Sequence, residues 1–262
     1  MKTSNTNILI LMCMAAVLSS CSYSSYIPVT VSEPLLKEKG QRQGIAYVGA
    51  NHVEVQGAYA FTNHFAVQGD IWRGTDKRYS MDLLPGYYFH SPGGFCFGIY
   101  GGGGIANTTG TKEIVYSNMF NRVNERYENH ARYTSLIFQP GAGFRKKNFE
   151  IGFAVRVSYV SYSQYHSKKY MWSQDDDATP QLMSEFSDNG FSIWIFQPAF
   201  NVSAGFENVK AFFSASINVP ADLKSMNSAY RHPHFQHYLF SSGIKIDLKA
   251  PGKFKKQQKV NF

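Results

Sequence analysis

The stretch "FEIGFAVRVSY", Phe149 to Tyr159, decides the fold. Phe149, Ile151, Phe153, Val155, Val157 and Tyr159 occupy every second position. Glu150, Gly152, Ala154, Arg156 and Ser158 fill the gaps. Side chains of a strand alternate between faces, so this is a strand with one large apolar face. The other face carries small residues and two charges of opposite sign. A water-facing surface would carry many lysines and glutamates. A narrow interior, by contrast, needs small side chains for space and charges that can pair out of bulk water. The apolar face therefore points outward, towards lipid, and the small polar face points inward.

Nine further segments show the same period. Before it come "QGIAYVGA", "VEVQGAYAF", "FAVQGDIW", "YSMDLLPGYYF", "GFCFGIYGGGG" and "TSLIFQPGAGF". After it come "SIWIFQPAFNVSAGF", "VKAFFSASIN" and "HYLFSSGIKIDL". The pattern predicts an all-β fold: an antiparallel up-and-down transmembrane β-barrel of about ten strands, with eight as the alternative count. Polar turns such as "TNH", "HSPGG", "RKKN" and "EN" alternate with longer connections near Gly74–Arg78, Thr109–Ala131, Gln164–Asn189 and Val219–Pro233. Transmembrane barrels are built this way, with short periplasmic turns and long outer loops. Pro85, Pro140 and Pro198 fall inside predicted strands and cannot donate to a ladder, so each predicts a bulge or a local gap.

Composition agrees. Aromatic residues make up 16% of the chain and charged residues 17%, with 22 glycines. The net charge of +8 is concentrated partly in "RKKN" and the tail "KFKKQQKVNF", which is not the footprint of a nucleic-acid partner.

The N-terminus carries a different signal. Lys2 precedes an apolar run, Ile8 to Leu18, which is too short to span a bilayer as a helix. Small residues then lead to a cysteine. Leu18-Ser19-Ser20-Cys21 resembles the lipobox of bacterial lipoproteins. The resemblance implies cleavage between Ser20 and Cys21 and a covalent lipid on Cys21, with no other cofactor. Cys13 would leave with the signal peptide, so Cys96 alone would remain as a thiol and no internal disulfide could form.

These readings divide the chain into a signal peptide (1–20), an N-terminal tether (21–42), a barrel domain (43–248) and a basic tail (249–262). The mature chain, about 240 residues, resembles the small outer-membrane β-barrel proteins of diderm bacteria. It departs from them in beginning with a lipobox. It also departs in placing Phe262 after a polar tail, so an assembly signal is expected near Tyr238–Leu248. An even strand number puts both barrel ends on the short-turn side, and the lipid of Cys21 is expected there too.

No catalytic motif stands out. Glu54, Asp70, Asp82, Arg132 and Arg156 are expected to form a charge network in the lumen. Tyr116, Phe120, Tyr170 and Trp172 lie in the long connections and are binding candidates for an extracellular carbohydrate or protein. The "HPHFQH" histidines and Asp175–Asp177 are read as rim and loop residues rather than metal ligands, because strand parity sends His234 and His237 to opposite faces and the aspartates lack the spacing and glycine of an EF-hand. The expected function is that of a non-enzymatic outer-membrane β-barrel lipoprotein with a structural or surface-binding role. The alternatives are a small transport channel, a membrane hydrolase with a rim site at Asp70 and Asp82, and a soluble lipid-anchored periplasmic barrel.

The lipobox is tested directly. Cys21→Ala should abolish incorporation of labelled fatty acid and leave an unprocessed precursor on a gel. Normal processing of the variant, with no lipid on the wild type, would show that Cys21 follows an ordinary signal peptide by coincidence.

Overall fold

A computed structural model of the chain describes residues 26–48, 52–74, 78–117, 122–173, 179–221 and 237–248. All regular structure there is β. The strands are β1 (Arg42–Val48), β2 (His52–Ala60), β3 (Phe65–Gly74), β4 (Tyr79–His90), β5 (Phe95–Ser117) and β6 (Arg122–Arg145). They continue with β7 (Phe149–Ser173), β8 (Gln181–Asp188), β9 (Phe191–Gly205), β10 (Val209–Ile217), β11 (Val219–Pro220) and β12 (Tyr238–Leu248).

Ten of these close into an antiparallel barrel. Neighbours pair from β1 to β7, then β7 pairs with β9, β9 with β10, β10 with β12, and β12 with β1. Closure leaves no free edge in the wall, the condition for a sheet in lipid. Every strand anticipated from the alternation is present, including the weak first one.

The two faces are sorted as the period requires. Leu83, Phe138, Phe153, Trp194 and Phe200 point outward and are roughly half exposed, like their counterparts on every wall strand. Such a girdle far exceeds the few hundred Å² of contiguous apolar surface that a soluble monomer shows. In a bilayer it costs nothing, and the barrel is of the outer-membrane type.

The prolines behave as expected. On the β4–β5 ladder, pairing runs to Leu83↔Gly103 and resumes at Gly86↔Tyr100, leaving a gap at Leu84 and Pro85. On β6–β7 it skips Gln139 and Pro140. The β9–β10 ladder stops at Ala199, just short of Pro198.

Two expectations fail. The connections Thr109–Ala131 and Gln164–Asn189 are not irregular loops. β5 and β6 stay paired out to Ser117↔Arg122, and β6 and β7 out to Val123↔Ser173. β8 joins the outer part of β7 from Tyr165 to Met171. A four-stranded sheet, β5–β6–β7–β8, thus rises beyond Asn107, where β4 stops. Ten residues of β5 lie above that level, roughly 30 Å of strand.

The second concerns the stretch expected to be a tether. Tyr26 to Leu36 is buried at every position and lies inside the barrel. Tyr26, Ile27 and Val29 pack with Trp72, Ala106, Tyr133, Tyr162 and Ile195 towards the long-hairpin mouth. Val31 meets Ala154 and Ala199 midway. Leu36 packs with Ala60, Ala66 and Tyr88 at the short-turn end. The segment is a strap through the lumen. The chain then turns over Lys37–Gln41 and enters β1 from the short-turn side.

The sidedness of the wall is checked by arginine substitution. Phe153→Arg should cost about 2–4 kcal/mol of unfolding free energy in lipid vesicles. Asn148→Arg, in the exposed turn after β6, should leave the urea midpoint unchanged. Equal tolerance at both positions would mean that Phe153 does not face lipid.

Candidate functional site

The lumen is the most elaborately built part of the molecule. The inward positions of the wall carry a set of glutamines, and these grip the strap by its backbone. Gln197 Nε2 donates to the carbonyl of Val29 at 2.8 Å. Gln139 Nε2 donates to Ser32 O at 3.0 Å, and Gln43 Nε2 to Leu35 O at 3.2 Å. Gln56 donates to Thr30 O and accepts from the Ser32 hydroxyl. Backbone amides of the strap are served as well: Ile27 N donates to the Tyr133 hydroxyl, and Thr30 N to Glu54 Oε1, both at 2.9 Å. An extended segment without a ladder would otherwise leave buried peptide groups unpaired, at about 1–3 kcal/mol each.

Glycines make the room. A Cβ at Gly98 or at Gly141 would run into the carboxylate of Glu33 on the strap. The two face the lumen from neighbouring strands in register with each other. Only hydrogen side chains leave a furrow in which Glu33 can lie.

Two ionic clusters sit above and below that point. In the upper one, Arg156 Nη1 holds Asp82 Oδ2 at 2.9 Å and its Nε donates to Gln139 Oε1 at 3.0 Å. Asp70 stands opposite Asp82 across the β3–β4 ladder. Glu54 caps the strap at Thr30, whose hydroxyl donates to Glu54 Oε2 at 2.9 Å. Glu54, Asp70, Asp82 and Arg156 thus share the lumen, as the alternation suggested. Arg132 does not join them. It has the parity of Leu136 and Phe138, is exposed on the outside, and its Nε lies 3.4 Å from Asn107 Oδ1.

The lower cluster was legible only as scattered charges. Glu150 receives Arg145 at 3.0 Å, Lys210 at 3.1 Å and Lys245 at 2.6 Å. Asp247 Oδ2 receives Lys210 at 2.8 Å and Arg145 at 3.0 Å. Arg145 also donates to Leu35 O at 2.6 Å, tying this cluster to the strap. Three cations face two carboxylates of the wall, while both carboxylate oxygens of Glu33 on the strap lie buried without a hydrogen-bond partner among the described residues.

The strap falls within the stretch read as a tether, 21–42; Pro28 and Pro34 lie inside it and cannot donate to a ladder. A signal was present: Ile27, Val29 and Val31 alternate with Thr30 and Ser32, a strand period outside the wall.

The projecting sheet carries the binding candidates. Tyr170 and Trp172 share one face of β7, opposite Arg126 and Asn124 of β6, and both are half-buried. Tyr116 lies on β5 in register with Val123. Phe120, Cys21, Ser20, His232, His234, Asp175–Asp177 and the tail 249–262 lie outside the described residues. The opposite face holds a compact triad. Tyr127 Oη donates to Glu125 Oε2 at 2.5 Å, and Lys169 Nζ reaches Glu125 Oε1 at 2.9 Å and lies 5.3 Å from the centre of the Tyr127 ring. Burial pushes the Glu125 carboxyl up, but the tyrosine hydroxyl and the lysine outweigh it and hold it below its ordinary range. Among the described residues, no group of three or more His, Cys, Asp or Glu could hold a metal ion. Cys96 is buried, with its Sγ 3.8 Å from the carbonyl of Gly94.

No protein-family model matches the sequence, and no curated protein does. Among solved structures, the chain is similar to the outer membrane protease OmpT from Escherichia coli. The identity is 10% and the TM-score 0.42, over 81% of this chain and 94% of that one.

The upper cluster makes a sharp demand. Arg156→Met should destabilise the barrel by about 3–5 kcal/mol, since it strands Asp82 without its cation. Combining it with Asp82→Asn should recover a large part of the loss. Unfolding in urea, followed by the gel shift of heat-modifiable barrels, measures both. An additive double variant would show that the two side chains do not act as a pair.

Proposed function

We propose that the protein is a lipid-anchored β-barrel of the outer membrane whose role is structural or surface-binding, not catalytic and not conductive. The observation that carries this reading is the filled lumen. Among the described residues, eleven consecutive positions of the strap fill the lumen, and inward glutamines hold them. A transport pathway would need that space open. The acids of the hydrolase alternative, Asp70 and Asp82, are buried within the lumen beside the strap rather than at the rim. The apolar girdle argues for a bilayer over the periplasmic alternative.

What the barrel presents outward is the sheet β5–β8, with Tyr170 and Trp172 among mixed charges on one face. Flat aromatic and charged surfaces of this kind suit a sugar or a protein ligand.

Two measurements test the reading. The folded protein in planar bilayers should give no steady ion conductance, and sustained conductance would favour the channel. A variant whose β5–β6 and β7–β8 hairpins are cut back to the level of Asn107 should keep its fold. It should lose binding to glycan arrays and to panels of immobilised secreted proteins. Unchanged binding by the trimmed barrel would remove the projecting sheet from the function.

A further inference from the structure

The direction of the strap has a consequence for the membrane. Barrel strands begin and end at the short-turn side, where Arg42 opens β1 and Leu248 closes β12. The strap, however, runs back through the lumen. Its Leu36 end is anchored near Ala60 and Ala66 at the short turns, and its Tyr26 end stacks on Tyr133, ring centres 5.8 Å apart. Tyr133 stands opposite Ala106, one residue before the level at which β4 ends at the long-hairpin mouth. Tyr26, the first described residue, therefore stands at the mouth that carries the projecting sheet.

We propose that the N-terminus of this protein is threaded through its own barrel, so that the lipid on Cys21 is held by the outer leaflet, at the cell surface. The proposal rests on the lipoprotein reading above. Cys21 precedes Tyr26 by five residues, a reach of roughly 18 Å at full extension. The apolar band of such a barrel is about 25 Å tall. The closed wall has no lateral gap, and the lumen is already filled by residues 26–36. Five residues cannot carry acyl chains back to the leaflet at the short turns. This reverses the expectation that anchor and short turns share a side.

The strap is matched to that position along its whole length. Its apolar upper end sits among tyrosines at the mouth. Glu33 lies in the glycine furrow, near Lys245 of the cationic lower cluster, and Leu35 O is held by Arg145 at the short-turn end. The threaded register is thus specified by the glycine furrow and by the glutamines that hold the strap's carbonyls.

Single-cysteine labelling tests the proposal on whole cells. In a full-length chain with Cys96→Ser, Ser24→Cys is compared with Lys147→Cys in the turn after β6, using a membrane-impermeant maleimide. Ser24→Cys should label fully on intact cells, with no gain on permeabilisation. Lys147→Cys should label only after permeabilisation. If Ser24→Cys needs permeabilisation or denaturation, the threading is wrong. If Lys147→Cys labels on intact cells, the short turns face outward and the outer-leaflet assignment falls. Lipid is read separately, by the mass of the N-terminal peptide and by labelling of the parent lacking Ser24→Cys. An acylated Cys21 with a hidden position 24 overturns the threading alone. An exposed position 24 with a free Cys21 thiol keeps the threaded N-terminus but overturns its surface lipid, and with it the lipoprotein reading.

Discussion

The grip of inward-facing amides on the strap is the interaction on which the rest of this structure depends. A ten-stranded wall encloses a space too wide for its own small inward side chains to fill, yet too narrow to solvate the charges it contains. Peptide groups and carboxylates placed there need partners, because water is scarce and the dielectric is low. The strap supplies both volume and hydrogen-bonding groups. Gln43, Gln56, Gln139 and Gln197 then become structural residues, each reaching a main-chain carbonyl. Without the strap they would line an unpaired polar tube.

The charges obey the same constraint. Arg156 is buried against Asp82, and Lys210 and Lys245 are buried against Glu150 and Asp247. Buried ion pairs of this kind seldom add much net stability, but they penalise any arrangement that separates them. The lower cluster also reaches the strap, where Arg145 donates to Leu35 O.

The projecting sheet follows a different logic. Beyond Asn107 the strands leave the closed wall, and two of them become edges. Edge strands in water invite pairing with other chains unless they are charged or irregular. On the β8 edge, Glu185 pairs with Lys168 of β7 and lies 3.2 Å from His166 Nε2. The β7–β8 ladder also shifts register between Lys169 and Tyr170.

Read alone, the sequence determined the wall. Alternation at period two is local, so "FEIGFAVRVSY" announces its inward and outward faces wherever it is placed. Short and long connections announce the two rims, and prolines mark the places where a ladder breaks. The inward positions of Glu54, Asp70, Asp82 and Arg156 follow from parity; Arg132, expected in the lumen with them, shares the outward parity of Leu136 and Phe138 and is exposed. What fills the lumen was decided only by tertiary structure. The alternation of Ile27, Val29 and Val31 marks an extended segment but not what receives it, because its partners sit on different strands and lie as far away as Gln197, 168 residues along the chain. The extension of the hairpins beyond the membrane was hidden for a related reason. Strands exposed to water on both faces lose the apolar alternation that marks a strand, and cross-strand pairing alone keeps them ordered.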